Sequence, residues 1–219
     1  MEKYFSVLES CPLFRNIARE DIPGMLACLG AVVHQAKKEQ QLLREGDTAA
    51  YLGILLQGSA HVVKQDYYGN RTIVARIAPG ELFGESFACA GVAQLPVSVV
   101  ANADCAYLLI DCHRITVTCS NACAFHTQMI FNLLQIVAAR NLEFHQKLEI
   151  TAKRTTREKL MAYLLSQAKA AGSNSFTIPY DRQALADYLG VERSAMSAEL
   201  GKLRRDGVLT SHRSQFTLL

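Results

Sequence analysis

Between residues 31 and 110 the chain breaks into short β-rich runs, and from about Asn121 its apolar residues recur at helical spacing. That change of period restricts the fold to a β-rich unit followed by helices. The runs at residues 31–34, 52–56, 60–64, 72–77, 97–101 and 105–110 are separated by Gly46-Asp47, Gly58, Gly69-Asn70, Pro79-Gly80 and Asn102-Ala103-Asp104. Short, evenly spaced strands with glycine-bearing turns predict an antiparallel barrel or sandwich. Ahead of them, residues 17–29 have the apolar spacing of a helix that stops at Gly30.

In the helical part, Ile130, Leu134, Val137, Asn141, Phe144 and Leu148 alternate by four and three, a heptad seam. Two readings stand. The seam pairs with a second copy, with Asn141 meeting its symmetry mate and fixing the register, or the stripe lies against the β-unit. Thr155 and Glu158 then form a capping box that starts a new helix, so residues 151–154 are a candidate hinge. That helix runs to about residue 170, and residues 176–179 form a short strand.

Residues 180–207 read as two short amphipathic helices around a glycine turn. Asp181 caps the first, whose apolar positions are Ala184, Leu185, Tyr188 and Leu189, and Gly190 supplies the turn. Glu192 opens the second, with Ala195, Met196, Leu200 and Leu203 expected inward and Arg193, Ser194, Ser197, Ala198 and Glu199 outward. Short polar side chains and one early arginine suit the major groove, where arginine donates two hydrogen bonds to guanine O6 and N7. Gly207 ends the helix, and residues 208–219 alternate around a polar tip at 211–215, the pattern of a hairpin wing. His212 and Arg213 fall at that tip, near where a phosphate backbone would lie.

Charge separates the same two parts. Residues 146–219 hold 12 Lys/Arg against 7 Asp/Glu, a balance of +5; the whole chain is +3, so residues 1–145 carry −2. A small basic module joined to a larger acidic one confines phosphate attraction to one end. No run of about 18 apolar residues is present, and the start lacks the succession of a signal peptide, which predicts a cytoplasmic chain without a membrane span. In that compartment the seven cysteines are expected as thiols. Cys119, Cys123 and His126 share one face at the start of the seam helix. They are candidates for a metal or haem ligand set or a redox pair, or they are buried side chains with a hydrogen-bonded histidine. The sequence assigns no cofactor.

The order of β-barrel, seam helix and winged helix-turn-helix resembles the family of the cyclic-AMP receptor protein and FNR, the Crp/Fnr family of bacterial transcription regulators. The resemblance covers nearly the whole chain. Its most specific pieces are Pro79-Gly-Glu-Leu-Phe-Gly-Glu85, similar to the glycine-rich turn of cyclic-nucleotide-binding domains, and Asp181-Arg-Gln with Leu189-Gly-Val-Glu-Arg-Ser, similar to the family's helix-turn-helix. It implies an α+β architecture. An N-terminal antiparallel β-barrel of the double-stranded β-helix or jelly-roll kind spans residues 1–120 as effector domain, a dimerisation helix spans 121–150, and a winged helix-turn-helix spans 151–219. It also implies a homodimer on a palindromic site in double-stranded DNA, a small effector, and RNA polymerase as a further partner. Arg182 and Gln183 fall where the family contacts phosphates, and Arg193, Ser194 and Ala198 on its base-reading face. Ala198 departs from the cyclic-AMP receptor, which has a second reading arginine there. Gly84 and Glu85 fall in the effector turn.

The sensor departs further. Family members that bind cyclic nucleotides place an arginine and a small hydroxyl residue about ten positions after the glutamate of the turn; here those positions hold Leu95 and Pro96. A cyclic phosphate would lose its compensating cation, so cyclic AMP is not the expected effector. The competing class is a ligand-binding or enzymatic barrel whose winged helix mediates protein contacts. Against an enzyme stands the lack of a metalloprotease pair, phosphate loop or nucleophile elbow in the sequence.

Overall fold

The computed structural model describes residues 2–116 and 124–219. It divides into two compact units, residues 1–70 with 74–141 and residues 71–73 with 142–219.

The first unit opens with helices α1 (Phe5–Ser10) and α2 (Ile22–Cys28). The helix expected over 17–29 begins five residues late, because Pro23 stands in its first turn and suits only a helix start. Strands β1 (Val32–Ala36), β2 (Gln41–Leu43), β3 (Tyr51–Gln57), β4 (Ala60–Gln65), β5 (Arg71–Ile77), β6 (Leu82–Phe83), β7 (Ser98–Ala101) and β8 (Cys105–Asp111) follow, with helix α3 (Glu85–Ala90) between β6 and β7. They form two four-stranded sheets, in the orders β1-β8-β3-β6 and β2-β7-β4-β5. All the registered pairs are antiparallel, including β3 on β8 and β4 on β7. The six predicted runs are six of these strands. The two further strands, of three and two residues, are too short to show a period.

Strand β3 is apolar without alternation because both its faces are covered. Leu52, Ile54 and Leu56, with Ala106, Leu108 and Ile110 of β8, pack in one core with α1, α2 and the seam helix. Leu55 and Tyr107 belong to the core with Phe83, Val99 and Ala101. Helix α4 (Cys112–Thr116) leads off β8, and the long helix α5 is Ala124–Thr151. On α5, Met129 and Leu133 are buried in the first core. Asn132 is also buried: its Nδ2 donates to the carbonyls of Leu13 (2.9 Å) and Arg15 (2.8 Å), and its Oδ1 accepts from Gln128. The opposite face of α5 is different. Leu134 is 66% and Leu148 64% exposed, with Ile130, Phe131 and Phe144 exposed beside them.

The second unit holds the rest. The capping box forms as expected: Thr155 Oγ1 accepts from the Glu158 N–H, and Glu158 Oε2 accepts from the Thr155 N–H at 3.0 Å. Helix α6 (Thr156–Ala171) follows, then β9 (Ser175–Thr177), α7 (Arg182–Leu189), α8 (Arg193–Arg205), β10 (Leu209–His212) and β11 (Gln215–Leu218). The last two make an antiparallel hairpin that β9 extends to three strands. Among the described residues no helix is long and apolar enough to cross a membrane.

Candidate nucleic-acid interface and sensor site

Helix α7 starts where Asp181 Oδ1 accepts from the Ala184 N–H at 2.8 Å. It ends at Gly190, whose φ of +61° lets the chain reverse within two residues. Helix α8 then buries Met196, Leu200 and Leu203, a line of i, i+4 and i+7, while Arg193, Ser194, Ser197 and Ala198 are all exposed. Ala195, expected inward, is exposed as well. It lies about 100° of helix turn from Met196, so a line through 196, 200 and 203 leaves it at the margin. The end of α8 is tied to the start of α6 by Arg157, whose two terminal nitrogens both donate to Asp206 Oδ2 at 3.1 Å.

The remaining expected contacts divide. Gln183 is exposed and donates to Asp187 Oδ1 at 2.8 Å. His212 and Arg213 are exposed at the hairpin tip, where Arg213 holds a left-handed φ of +50°. Arg182 is only partly exposed: its guanidinium lies 5.1 Å over the Phe216 ring and donates to Ser211 Oγ at 3.3 Å. Burial, then the nearby Arg204 charge, lowers its pKa from the usual arginine value. Arg182 thus packs the hairpin onto α7 as well as offering a charge, a double role that spacing alone does not reveal.

In the first unit, Gly84 has φ +77°, and a Cβ there would stand 2.9 Å from Leu43 Cδ1 and 3.1 Å from the Tyr51 carbonyl oxygen. Glycine is therefore required by the turn itself. Glu85 is buried, and Arg140 of α5 reaches it, Nε to Oε1 at 3.5 Å, while Arg140 Nη2 donates to the Leu82 carbonyl at 3.0 Å. Sequence reasoning missed Arg140; the signal was an arginine beside Asn141, pointing away from the seam. Where a cyclic-phosphate cassette needs its cation, Leu95 is buried, its N–H donates to the Asp47 carbonyl and its carbonyl accepts from the Gly46 N–H, both in the turn between β2 and β3. The Pro96 carbonyl accepts from Lys64. These residues do not fit a cyclic phosphate.

His126 is buried, and its Nε2 lies 3.3 Å from the Arg114 carbonyl, so that nitrogen carries the proton. It borders a cavity of about 210 Å³ walled also by Met25, Leu29 and Met129. Cys119 and Cys123 lie outside the described residues. Among the described residues no group of three or more His, Cys, Asp or Glu is placed to hold a metal ion.

A sensor built on a cyclic-nucleotide-type turn, a long helix and a winged helix-turn-helix defines a DNA-binding transcription regulator. Residues 33–120 match the cyclic nucleotide-binding domain and residues 158–219 the Crp-like helix-turn-helix domain. The chain belongs to the Crp/Fnr family of transcription regulators. It is 24% identical over 220 residues to the probable transcriptional regulator flp of Lacticaseibacillus casei, covering 95% of this chain and 91% of that one. It is 21% identical over 188 residues to the transcriptional activator protein FnrA of Stutzerimonas stutzeri, covering 84% of this chain and 75% of that one. In fold it resembles the c-di-GMP responsive global regulator CLP of Xanthomonas campestris, with a TM-score of 0.75 and 18% identity over 92% of this chain and 99% of the other.

Proposed function

We propose that this regulator works in the cytoplasm, without catalysis, as a homodimer whose paired α8 helices read a palindromic operator under control of a small effector other than cyclic AMP. The observation that carries the reading is the outward face of α8, where Arg193, Ser194, Ser197 and Ala198 are exposed while the opposite face is locked into the core of its unit. Arg193 is the residue for one G·C pair, by bidentate donation to O6 and N7. Gln183, Arg182, His212 and Arg213 supply the flanking phosphate contacts. A dimer is supported by α5, whose exposed Ile130, Leu134, Phe144 and Leu148 continue the heptad spacing. Two such helices set side by side place two recognition helices on one duplex.

The effector reading rests on the sensor turn. Glu85 is engaged by Arg140, the cassette positions hold Leu95 and Pro96, and the Lys64 ammonium beside them is already taken by Glu45 and the Pro96 carbonyl, so an anionic cyclic phosphate meets no arginine there. Glu85, held in place by the Gly84 turn, then connects the turn to α5. RNA polymerase is the further partner the family implies.

The test is selection of genomic DNA fragments by the purified protein at varied salt. Palindromic sites are expected, with affinity that falls steeply as salt rises. Arg193→Ala should remove selectivity while non-specific affinity remains. Failure to retain any fragment at low salt, with or without cell extract, would overturn the proposal.

A further inference from the structure

Cys89 in the last turn of α3 and Cys112 at the start of α4 bring their sulfurs to 3.7 Å of each other, in hydrogen-bonding contact. Cys89 is exposed and Cys112 buried. We infer that this pair is an oxidation site, a dithiol that a hydroperoxide closes into the Cys89–Cys112 disulfide.

Geometry carries the assignment. A disulfide needs its sulfurs about 2.05 Å apart, so the pair must close by roughly 1.7 Å, within reach of side-chain rotation and a small shift of one short helix. The end of α3 has room for it: residues 89–94 are exposed, and a Cβ built on Gly91 would meet no heavy atom within 4 Å.

Two of the remaining cysteines show the contrast. Cys11 lies in the first core, where burial pushes its thiol up to about 12. The Cys105 thiol contacts the carbonyls of Ser59 (3.2 Å) and Ala103 (3.0 Å), and burial raises it too. Within the pair, the hydrogen bond from Cys89 lowers Cys112 to about 7, and Cys89 is held far above the ordinary thiol range. The shared hydrogen bond therefore favours losing one proton of the pair and keeping the other. The resulting negative charge sits first on Cys112; because either sulfur can be the donor, passage of the shared proton from Cys89 to Cys112 moves it to Cys89, the sulfur open to solvent.

The chemistry balances. The Cys89 thiolate attacks one peroxide oxygen, the O–O bond breaks, hydroxide leaves and Cys89 becomes a sulfenic acid. Cys112 gives its proton to that hydroxide, forming the first water, attacks the Cys89 sulfur and expels the second oxygen as hydroxide, which takes up the proton the pair released on forming the thiolate and departs as the second water. The two thiols lose two protons and two electrons, and the peroxide becomes two waters. Because Cys89 lies four residues after Glu85, the new bond forms on the helical face that carries the partner of Arg140.

The experiment uses the full chain, reduced and titrated with hydrogen peroxide, once as purified and once after treatment with a chelator. Remaining thiols are alkylated after unfolding, and the peptides are weighed. The expected result is one cross-linked peptide pair, Cys89 to Cys112, two hydrogens lighter than the dithiol. Alkylation should disappear from both in parallel while Cys11 and Cys105 keep theirs. In Cys112→Ser, Cys89 should instead accumulate sulfenic acid that dimedone traps, several-fold above the wild type. The surface substitution Cys89→Ser should leave Cys112 alkylatable, and the wild-type cross-link depends on neither variant folding. Oxygen added to Cys89 with Cys112 still alkylatable overturns the inference, as does a disulfide from Cys89 to any other cysteine. So does resistance of both thiols to peroxide until the chelator is added, which would make the pair metal ligands.

Discussion

Arg140 Nε stands 3.5 Å from Glu85 Oε1, with side-chain exposures of 14% and 5%. The glutamate belongs to the sensor turn and the arginine to α5, so the conformation of the turn and the position of the helix are coupled through this buried ion pair and the Arg140 bond to the Leu82 carbonyl. A buried carboxylate without a cation is costly, which makes the pair hold rather than slide. In this regulator the helix itself supplies a positive charge at the turn.

Arg140→Ala should destabilise the sensor by about 3–5 kcal/mol, because Glu85 stays buried without its arginine. Adding Glu85→Gln to an Arg140→Met background should recover most of the loss, since neither side chain is then charged. Urea denaturation of the four proteins is the measurement. A loss that the double substitution does not reduce would mean that packing, not charge, holds the turn.

Arg193→Ala should cost about 1–3 kcal/mol at the preferred operator and close to nothing on unrelated duplexes. Anisotropy titrations on the operator and on a copy with the contacted G·C pair inverted make the comparison. In the variant the two affinities should converge. Ala198→Arg, which adds a second reading side chain on the same exposed face, should raise affinity for a different half-site without lowering the melting temperature.

The seam makes its own forecast. Leu134 is solvent-exposed in the single chain, so Leu134→Asp should not unfold the protein; it should halve the mass in sedimentation by breaking the dimer. Leu148→Asp should act in the same direction. If both variants keep the mass of the unaltered protein, the stripe is not the interface.

Much of this was readable from residues alone, for identifiable reasons. Strands β3, β4, β5 and β8 announced themselves because five or more β-rich residues sit between turn formers, and Asp181, Gly190 and the Thr155/Glu158 box mark helix ends by local chemistry. What stayed hidden depends on tertiary partners. Arg140 reads as an ordinary surface arginine until α5 meets the turn, Asn132 as a polar interruption until it meets the Leu13 and Arg15 carbonyls, and Cys89 and Cys112 as two of seven thiols until the fold brings them together. Spacing along one helix reveals a face, but contacts between segments 23 or 55 residues apart leave no period in the sequence.

Glu158 gives a pH dependence with a definite sign. The backbone N–H of Thr155, then its side chain, holds the Glu158 carboxyl below the ordinary carboxylate pKa. A carboxyl depressed in the folded state adds stability above its unfolded pKa of about 4.3 and loses it as pH falls through the folded value. The difference in melting temperature between the unaltered protein and Glu158→Gln should be constant near neutrality and shrink in acid. A difference that does not change with pH would rule out the charged form as the source.

Arg182 and Arg213 separate scaffold from contact. Arg213 is exposed at the hairpin tip, and Arg213→Ala should lower the salt slope of binding by about one while leaving the melting temperature unchanged. Arg182 should behave differently, because its guanidinium covers the Phe216 ring and bonds Ser211. Its removal takes away a half-buried stacked cation as well as a phosphate partner. Arg182→Ala should therefore lower both the salt slope and the melting temperature. Arg182→Lys should keep the slope but not the stability, since an ammonium cannot stack as a planar guanidinium does. Equal melting temperatures for the two alanine variants would show that the ring contact contributes nothing, and Arg182 would then act only on DNA.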